Sequence, residues 1–207
     1  MSLPVVIIFI RNPEPGKVKT RIAAEAGIDK ALEIYNHLLQ ITREVVSSFP
    51  SERYVFYSDK IEDSDEWNQI LFNKSVQHGS NLGERMHNAF RIVYEAIPES
   101  PNKKVLLIGS DCPDINKQIL HEATTALESM DCVIGPALDG GYYLIGFSGM
   151  PDVSVFSDIQ WSTPSVYVNT LQKFSALQYK HHELPILSDV DTLDDWEGFM
   201  MRKTVSP

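Results

Sequence analysis

Arg11, Lys17, Lys19 and Arg21 put four basic side chains within eleven residues, in a loop that also holds Pro13, Pro15 and Gly16. That density suits an anion site. Gly16 lets backbone amides approach a phosphate, and a helix beginning near residue 18 would add its positive end. A solvated basic loop is the plainer reading, and the residue order is not that of a Walker A loop. A second candidate is Gly109-Ser110-Asp111-Cys112-Pro113-Asp114. There Asp111 can ligate a hard divalent cation bridging phosphates, while Asp114 suits a turn or helix cap. A third is Asp139-Gly140-Gly141, either an ordinary Asp-Gly hairpin turn or a close backbone approach where Asp139 meets metal, ribose or a sugar hydroxyl. Asp189, Asp191, Asp194 and Asp195 gather around a helix start. Asp194 and Asp195 suit its positive end, leaving Asp189 or Asp191 to complete a cation site with Asp111. Arg85 lies in a polar stretch, 77–85, that either caps a helix or turns toward a nucleotide. Trp161-Ser162-Thr163-Pro164 either shapes an acceptor pocket or packs into the core.

Other chemistries lack their residues. The six histidines show neither His-x-His nor His-Glu-x-x-His spacing, and no Gly-x-Ser-x-Gly elbow occurs. Cys112 and Cys132 offer neither a disulfide framework nor a Cys-x-x-Cys pair.

The elements that must position these residues alternate between two periodicities. Residues 3–10 are a continuous Val/Ile-rich run, as expected of a strand covered on both faces. Strands are also expected at 53–58, 75–77, 105–108, 132–135 and 142–147, with an extended segment at 178–184. Apolar spacing of three and four predicts helices at 28–46, 116–129, 163–174 and 192–201, and a shorter one at 65–71. Another helix follows Asn81, which caps it with Glu84 in the reciprocal position, its stripe running from Leu82 to Ile97. This β/α alternation predicts an α/β fold: a largely parallel sheet with helices on both faces and ligands at the strands' carboxyl ends. No repeat or linker interrupts it, so residues 1–207 are expected to form a single domain.

Composition narrows the partners. Eighteen Lys+Arg against 28 Asp+Glu give a formal charge of -10, which repels nucleic acid polymers and anionic membranes over most of the surface. An anionic ligand must therefore meet a local basic cluster. The longest apolar runs fall far short of the roughly 20 residues of a membrane span. The opening run also lacks a signal-peptide pattern, so a cytoplasmic location is expected. The sequence leaves oligomeric state open.

Taken in order, Pro-x-Pro-Gly-Lys-Val-Lys-Thr-Arg, Asn-Leu-Gly-Glu-Arg-Met, Gly-Ser-Asp-Cys-Pro, Gly-Pro-Ala-x-Asp-Gly-Gly-Tyr-Tyr-Leu-Ile-Gly and Asp-Val-Asp-Thr resemble a small bacterial family of glycosyltransferases. These belong to the GT-A nucleotide-diphospho-sugar transferases, and the resemblance spans about residues 3–198. More distantly the chain is similar to 2-phospholactate guanylyltransferase and the molybdenum-cofactor nucleotidylyltransferases. The resemblance implies a Rossmann-like three-layer sandwich with a mixed, mainly parallel sheet, and Mg2+ or Mn2+ at the phosphates. By position it makes Arg11, Lys17, Lys19 and Arg21 the phosphate-gripping set, while the residues' own chemistry adds Gly16, Arg85, Gly140 and Gly141 as nucleotide-binding candidates. It makes Asp111 the principal metal ligand, with Asp191 or Asp189 the second. Asp111, Asp139 and Lys17 are then the catalytic candidates. The expected partners are a nucleotide or nucleotide-sugar donor and a small-molecule acceptor. Asp111-Cys112-Pro113 lacks the second aspartate of the Asp-x-Asp signature, and the basic loop lacks the Gly-Gly start of nucleotidylyltransferases. Three activities follow as expectations: glycosyl transfer from a nucleoside diphosphate sugar, nucleotidylyl transfer with pyrophosphate release, and nucleotide binding without turnover.

Overall fold

The computed structural model describes residues 3–97 and 103–205. Seven strands form one sheet: β1 (Val5–Ile10), β2 (Glu52–Tyr57), β3 (Asn73–Val76), β4 (Lys104–Ile108), β5 (Cys132–Pro136), β6 (Tyr142–Ser148) and β7 (His181–Glu183). Their order is β3-β2-β1-β4-β6-β5-β7. Only β6 runs against the others, pairing antiparallel with both β4 and β5. The remaining pairs are parallel.

Among the described residues six α-helices accompany the sheet: α1 (Thr20–Ala26), α2 (Ile28–Ser48), α3 (Leu82–Ala96), α4 (Lys117–Ala126), α5 (Val166–Ala176) and α6 (Leu193–Val205). Strand alternation sorts the core into two layers. Val6, Ile8, Ile10, Leu106 and Ile108 pack with Tyr35 and Leu39 of α2 and with Ile119 and Leu120 of α4. Val5, Ile7, Phe9, Val105 and Leu107 pack with Met86, Phe90 and Val93 of α3 and with Phe174 of α5. Every residue of β1 is buried, which explains why its sequence shows no polar alternation. A further cluster of Ile22, Leu38, Val190, Trp196 and Phe199 joins α1, α2 and α6.

The expected α/β fold is present, with two shifts. Residues 65–71 form turns rather than a helix. The Asp65 carboxylate accepts from the Trp67 amide, and the Asn68 side chain accepts from the Ile70 amide, so side chains take the donors a helix would use. The helix expected from 163 begins at Val166, after Pro164 and a left-handed Ser162 with φ 63°. Asn81 does cap α3 by accepting from the Glu84 amide, while the Glu84 carboxylate reaches back to the Ser80 amide. Cys112 and Cys132 are both free and buried. Among the described residues no helix is long and apolar enough to cross a membrane.

The topology decides where the chemistry meets. Strands β1 and β4 are parallel neighbours with Ile8 opposite Ile108. The basic loop after β1 and the Asp111 loop after β4 therefore leave the sheet side by side, at its carboxyl end.

Candidate active site

A cavity of about 190 Å³ opens between those loops, lined by Arg11, Lys17, Val18, Lys19, Thr20, Arg21, Tyr35, Asp111 and Asp191. It is smaller than the roughly 300–1,000 Å³ of whole-ligand sites, so it suits the phosphate part of a ligand whose remainder lies along the open rim. A larger depression of about 540 Å³ over residues 63–69 is lined by Asp63, Asp65 and Glu66, with no basic side chain to receive an anion.

The basic loop is built around two backbone irregularities. Gly16 takes φ 76°, a conformation natural to glycine, and Lys19 takes φ 45° and ψ 50°, which is uncommon for a residue with a side chain. The turn at Lys19 brings its ammonium into the protein, where the side chain is only 6% exposed. Its nitrogen lies 2.6 Å from Asp111 Oδ1 and 3.7 Å from Asp191 Oδ1, and donates to the Val190 carbonyl at 2.6 Å. Arg21 reaches the other Asp191 oxygen at 3.2 Å. Lys17 stays at the mouth, 67% exposed, paired with Glu14 at 2.6 Å. That pairing lowers the Glu14 carboxyl below its ordinary range and raises the Lys17 amine.

The Asp189-Val190-Asp191 turn is placed by its middle residue. Val190 is buried in the α1, α2 and α6 cluster. Its amide donates to the Asp111 carbonyl at 2.9 Å, which ties the turn to the loop after β4. Asp189 is half-buried near several like charges. Burial, then Asp139, Asp191 and Asp111, push its carboxyl up to about 6. Asp139 belongs to the same acidic surroundings. The Leu138 amide donates to the Leu187 carbonyl, which holds this loop beside the 187–191 turn.

Other expected residues stand apart from the cavity. The Asp139 carboxylate accepts from the Gly141 amide at 2.8 Å, an Asx turn. Gly140, with φ 88°, has no room for a side chain because a Cβ would lie 2.1 Å from the Pro164 carbonyl oxygen. Its glycine is thus accounted for by contact with the 161–165 segment. Arg85 folds back onto the Gly79 carbonyl at 3.2 Å. Asp114 pairs with Arg202 of α6 at 2.8 Å, so it has a partner outside the cavity. Cys112 is no nucleophile, because burial pushes its thiol up to about 12.

Two positioning residues escape sequence inspection. Tyr35 falls in the apolar stripe of α2, yet its hydroxyl accepts from the Arg11 amide at 2.8 Å and donates to the Arg11 carbonyl at 3.1 Å. The same oxygen lies 3.4 Å from Ser110 Oγ, so one buried phenol touches both loops. Burial raises its hydroxyl well above the ordinary tyrosine range, keeping it neutral. Asn12, buried at the head of the basic loop, clamps residues 58–60: its Nδ2 donates to the Lys60 carbonyl and its Oδ1 accepts from the Asp59 amide. The available signal was chemical rather than periodic: a buried Tyr or Asn must find partners.

Among the described residues, no three His, Cys, Asp or Glu side chains stand ready as a metal cage. Two carboxylates, Asp111 and Asp191, do converge on one point, now marked by the Lys19 nitrogen.

Comparison with known proteins gives this arrangement its relatives. The model of a family described as an uncharacterized protein conserved in bacteria, DUF2064, matches residues 41–163, more than half of the chain. The chain belongs to this family. The chain is also similar to a solved structure from Desulfovibrio desulfuricans G20 that carries the provisional name nucleotide-diphospho-sugar transferase. It is 33% identical, with a TM-score of 0.88 over 100% of this chain and 90% of that one. The fold alone is shared with 4-diphosphocytidyl-2C-methyl-D-erythritol synthase of Anaerococcus prevotii DSM 20548, at 11% identity and TM-score 0.62 over 98% and 96% of the two chains. It is also shared with Rv0371c of Mycobacterium tuberculosis H37Rv, solved in complex with manganese, at 12% identity and TM-score 0.53 over 96% and 98%. No curated protein matches the chain. Its full-length likeness to the 33% identical relative places this DUF2064 member among the transferases.

Proposed function

We propose that this DUF2064 protein is a metal-dependent glycosyltransferase whose donor is a nucleoside diphosphate sugar. One observation carries the reading: Arg11, Lys17, Lys19 and Arg21 share a single cleft with Asp111 and Asp191. The donor set fits Mg2+ or Mn2+, because such ions need only one or two carboxylates and take other ligands from water and phosphate. Asp111 and Asp191 would hold the ion, with Asp189 as the alternative second ligand. Bound there, the ion would supply positive charge to the departing diphosphate. The manganese complex of Rv0371c supports the choice of ion through the shared fold.

The chain's own residues do the rest. Arg11 and Arg21 present guanidinium forks that bind phosphate oxygens in pairs, and Lys17 adds a point charge. As the bond from the sugar's anomeric carbon to the phosphate oxygen breaks, these groups stabilise charge growing on the diphosphate. The acceptor hydroxyl oxygen bonds to that carbon and gives its proton to a carboxylate, for which Asp139, outside the cavity but near Asp189, is the candidate.

A second reading is nucleotidylyl transfer, in which an acceptor phosphate attacks the α-phosphorus of a nucleoside triphosphate and pyrophosphate leaves. Four cationic groups around one small cleft favour it, since a triphosphate carries more charge. The fold shared with a diphosphocytidyl synthase also supports it. Incubation with Mn2+ and panels of sugar nucleotides and nucleoside triphosphates, with products resolved by anion-exchange chromatography, tests both. Release of nucleoside diphosphate is expected, falling about a hundredfold in Asp111→Asn. Pyrophosphate release transfers the assignment to the second reading, and tight binding without product in any acceptor mixture makes the chain a binding module.

A further inference from the structure

Lys19 differs from the other cations of the cleft. Its side chain is 6% exposed, against 67% for Lys17 and 72% for Arg21. An ammonium has three donors. They face Asp111 Oδ1 and the Val190 carbonyl, both at 2.6 Å, and Asp191 Oδ1 at 3.7 Å. The backbone that carries the three oxygens is tied together without the lysine, since the Val190 amide is bonded to the Asp111 carbonyl and Val190 is locked in an apolar cluster. A hard cation selects such a set of two carboxylates and a carbonyl. The ammonium reaches it only through a left-handed backbone at Lys19, a conformation a side-chain-bearing residue seldom adopts.

We propose that Lys19 is a resident cation that closes the Asp111–Asp191 pair to free divalent metal, and that phosphate groups of the donor open it by drawing the ammonium away. The inference rests on the reading of that pair as the metal site and of the basic loop as the phosphate site. A second positive charge placed between the same carboxylates meets the ammonium at contact distance, where repulsion is strong. Phosphate oxygens arriving in the cleft offer Lys19 charged acceptors in exchange for those it gives up. Metal is therefore bound with the phosphates or after them. The aspartates meanwhile stay neutralised and in position in the resting protein.

The test measures Mn2+ alone, without nucleotide, by the loss of the free-ion EPR signal on titration into the full chain. Wild type, Lys19→Met, Lys19→Gln, Asp111→Asn and the double variant Lys19→Met/Asp111→Asn are compared, with thermal midpoints recorded to establish folding. Lys19→Gln keeps a donor for the Val190 carbonyl and serves where the Met variant does not fold. Both Lys19 variants are expected to bind Mn2+ at least roughly tenfold more tightly than wild type, and Asp111→Asn is expected to abolish the gain. If the Lys19 variants bind no tighter while Asp111→Asn weakens the wild type, the latch is overturned and the metal reading stands. Mn2+ affinity indifferent to Asp111→Asn in every background overturns the metal reading and the latch with it.

Discussion

The two ends of the sheet each bury a lysine, and the two lysines keep different company. Lys103, 5% exposed at the amino end of β4, pairs with Glu52 at the amino end of β2. Between them runs β1, whose Val5 is in register with Glu52 on one side and Val105 on the other. One cation meets one anion there. Lys74 and Asp65 form a second close pair beside Tyr57. At the carboxyl end Lys19 and Arg21 face Asp111 and Asp191, with Asp189 and Asp139 within electrostatic reach. A buried ion pair is weak evidence of purpose, since desolvation offsets most of its attraction. Asp189 is better evidence, since the charges that shift its carboxyl, Asp139, Asp191 and Asp111, are all anions. A matched pair completes a fold, whereas an unmatched group leaves room for a charge that is not part of the chain.

The contrast is broken most directly at its matched end. Glu52→Gln leaves the Lys103 ammonium buried without a counter-charge and is expected to destabilise the protein by about 3 kcal/mol. Urea denaturation reads the loss. Nucleotide affinity, measured by calorimetric titration, should not move, because the pair lies at the far end of the sheet. A shift in affinity would mean that the two ends are not independent. Tyr35→Phe is the intermediate case: the Arg11 amide loses its acceptor, at about 1–2 kcal/mol. Here stability and nucleotide affinity should fall together, since the hydroxyl holds the head of the basic loop. Loss of stability alone would reduce Tyr35 to an ordinary core residue.

How much of this was legible in the sequence depended on whether the signal was local. The buried strands declared themselves as Val/Ile runs, and the cap at Asn81 as a short polar pattern, because strand burial and capping are decided within a few residues. The sequence put both the basic loop and Asp111 at strand ends, whereas the adjacency of β1 and β4 that pairs them is a fact of the sheet order. What stayed hidden was non-local. Lys19 and Lys17 are two residues apart in one motif, yet one is buried against Asp111 and Asp191 and the other is tied to Glu14 at the surface. Only the left-handed turn at Lys19 separates their fates, and no residue type announced it. The role of Val190 was concealed in the same way: its burial between α1, α2 and α6 is what sets the two aspartates at the cleft. Residues 65–71 misled because their apolar spacing suits a helix, while Asp65 and Asn68 supply competing hydrogen bonds.

The smallest expected effect probes the unmatched carboxyl itself. Asp189 has a folded-state pKa of about 6, raised from 3.8 by burial and then by Asp139, Asp191 and Asp111. The folded protein therefore holds this proton more tightly than the unfolded chain does. Below the unfolded pKa both states are protonated and the favourable contribution is intact. It is lost as pH rises through about 6, and above that the ionised group opposes folding. Asp189→Asn removes a group that cannot stay neutral at high pH, so with chelator present its thermal midpoint should exceed that of wild type at about pH 8 and match it near pH 4. The gain should be under about 1 kcal/mol, because the carboxyl is only half-buried and solvent screens its neighbours. A variant equally stable to wild type at both pH values would show that the acidic surroundings of Asp189 are relaxed by water. The contrast between the two ends of the sheet would then be one of residue placement and not of electrostatic energy.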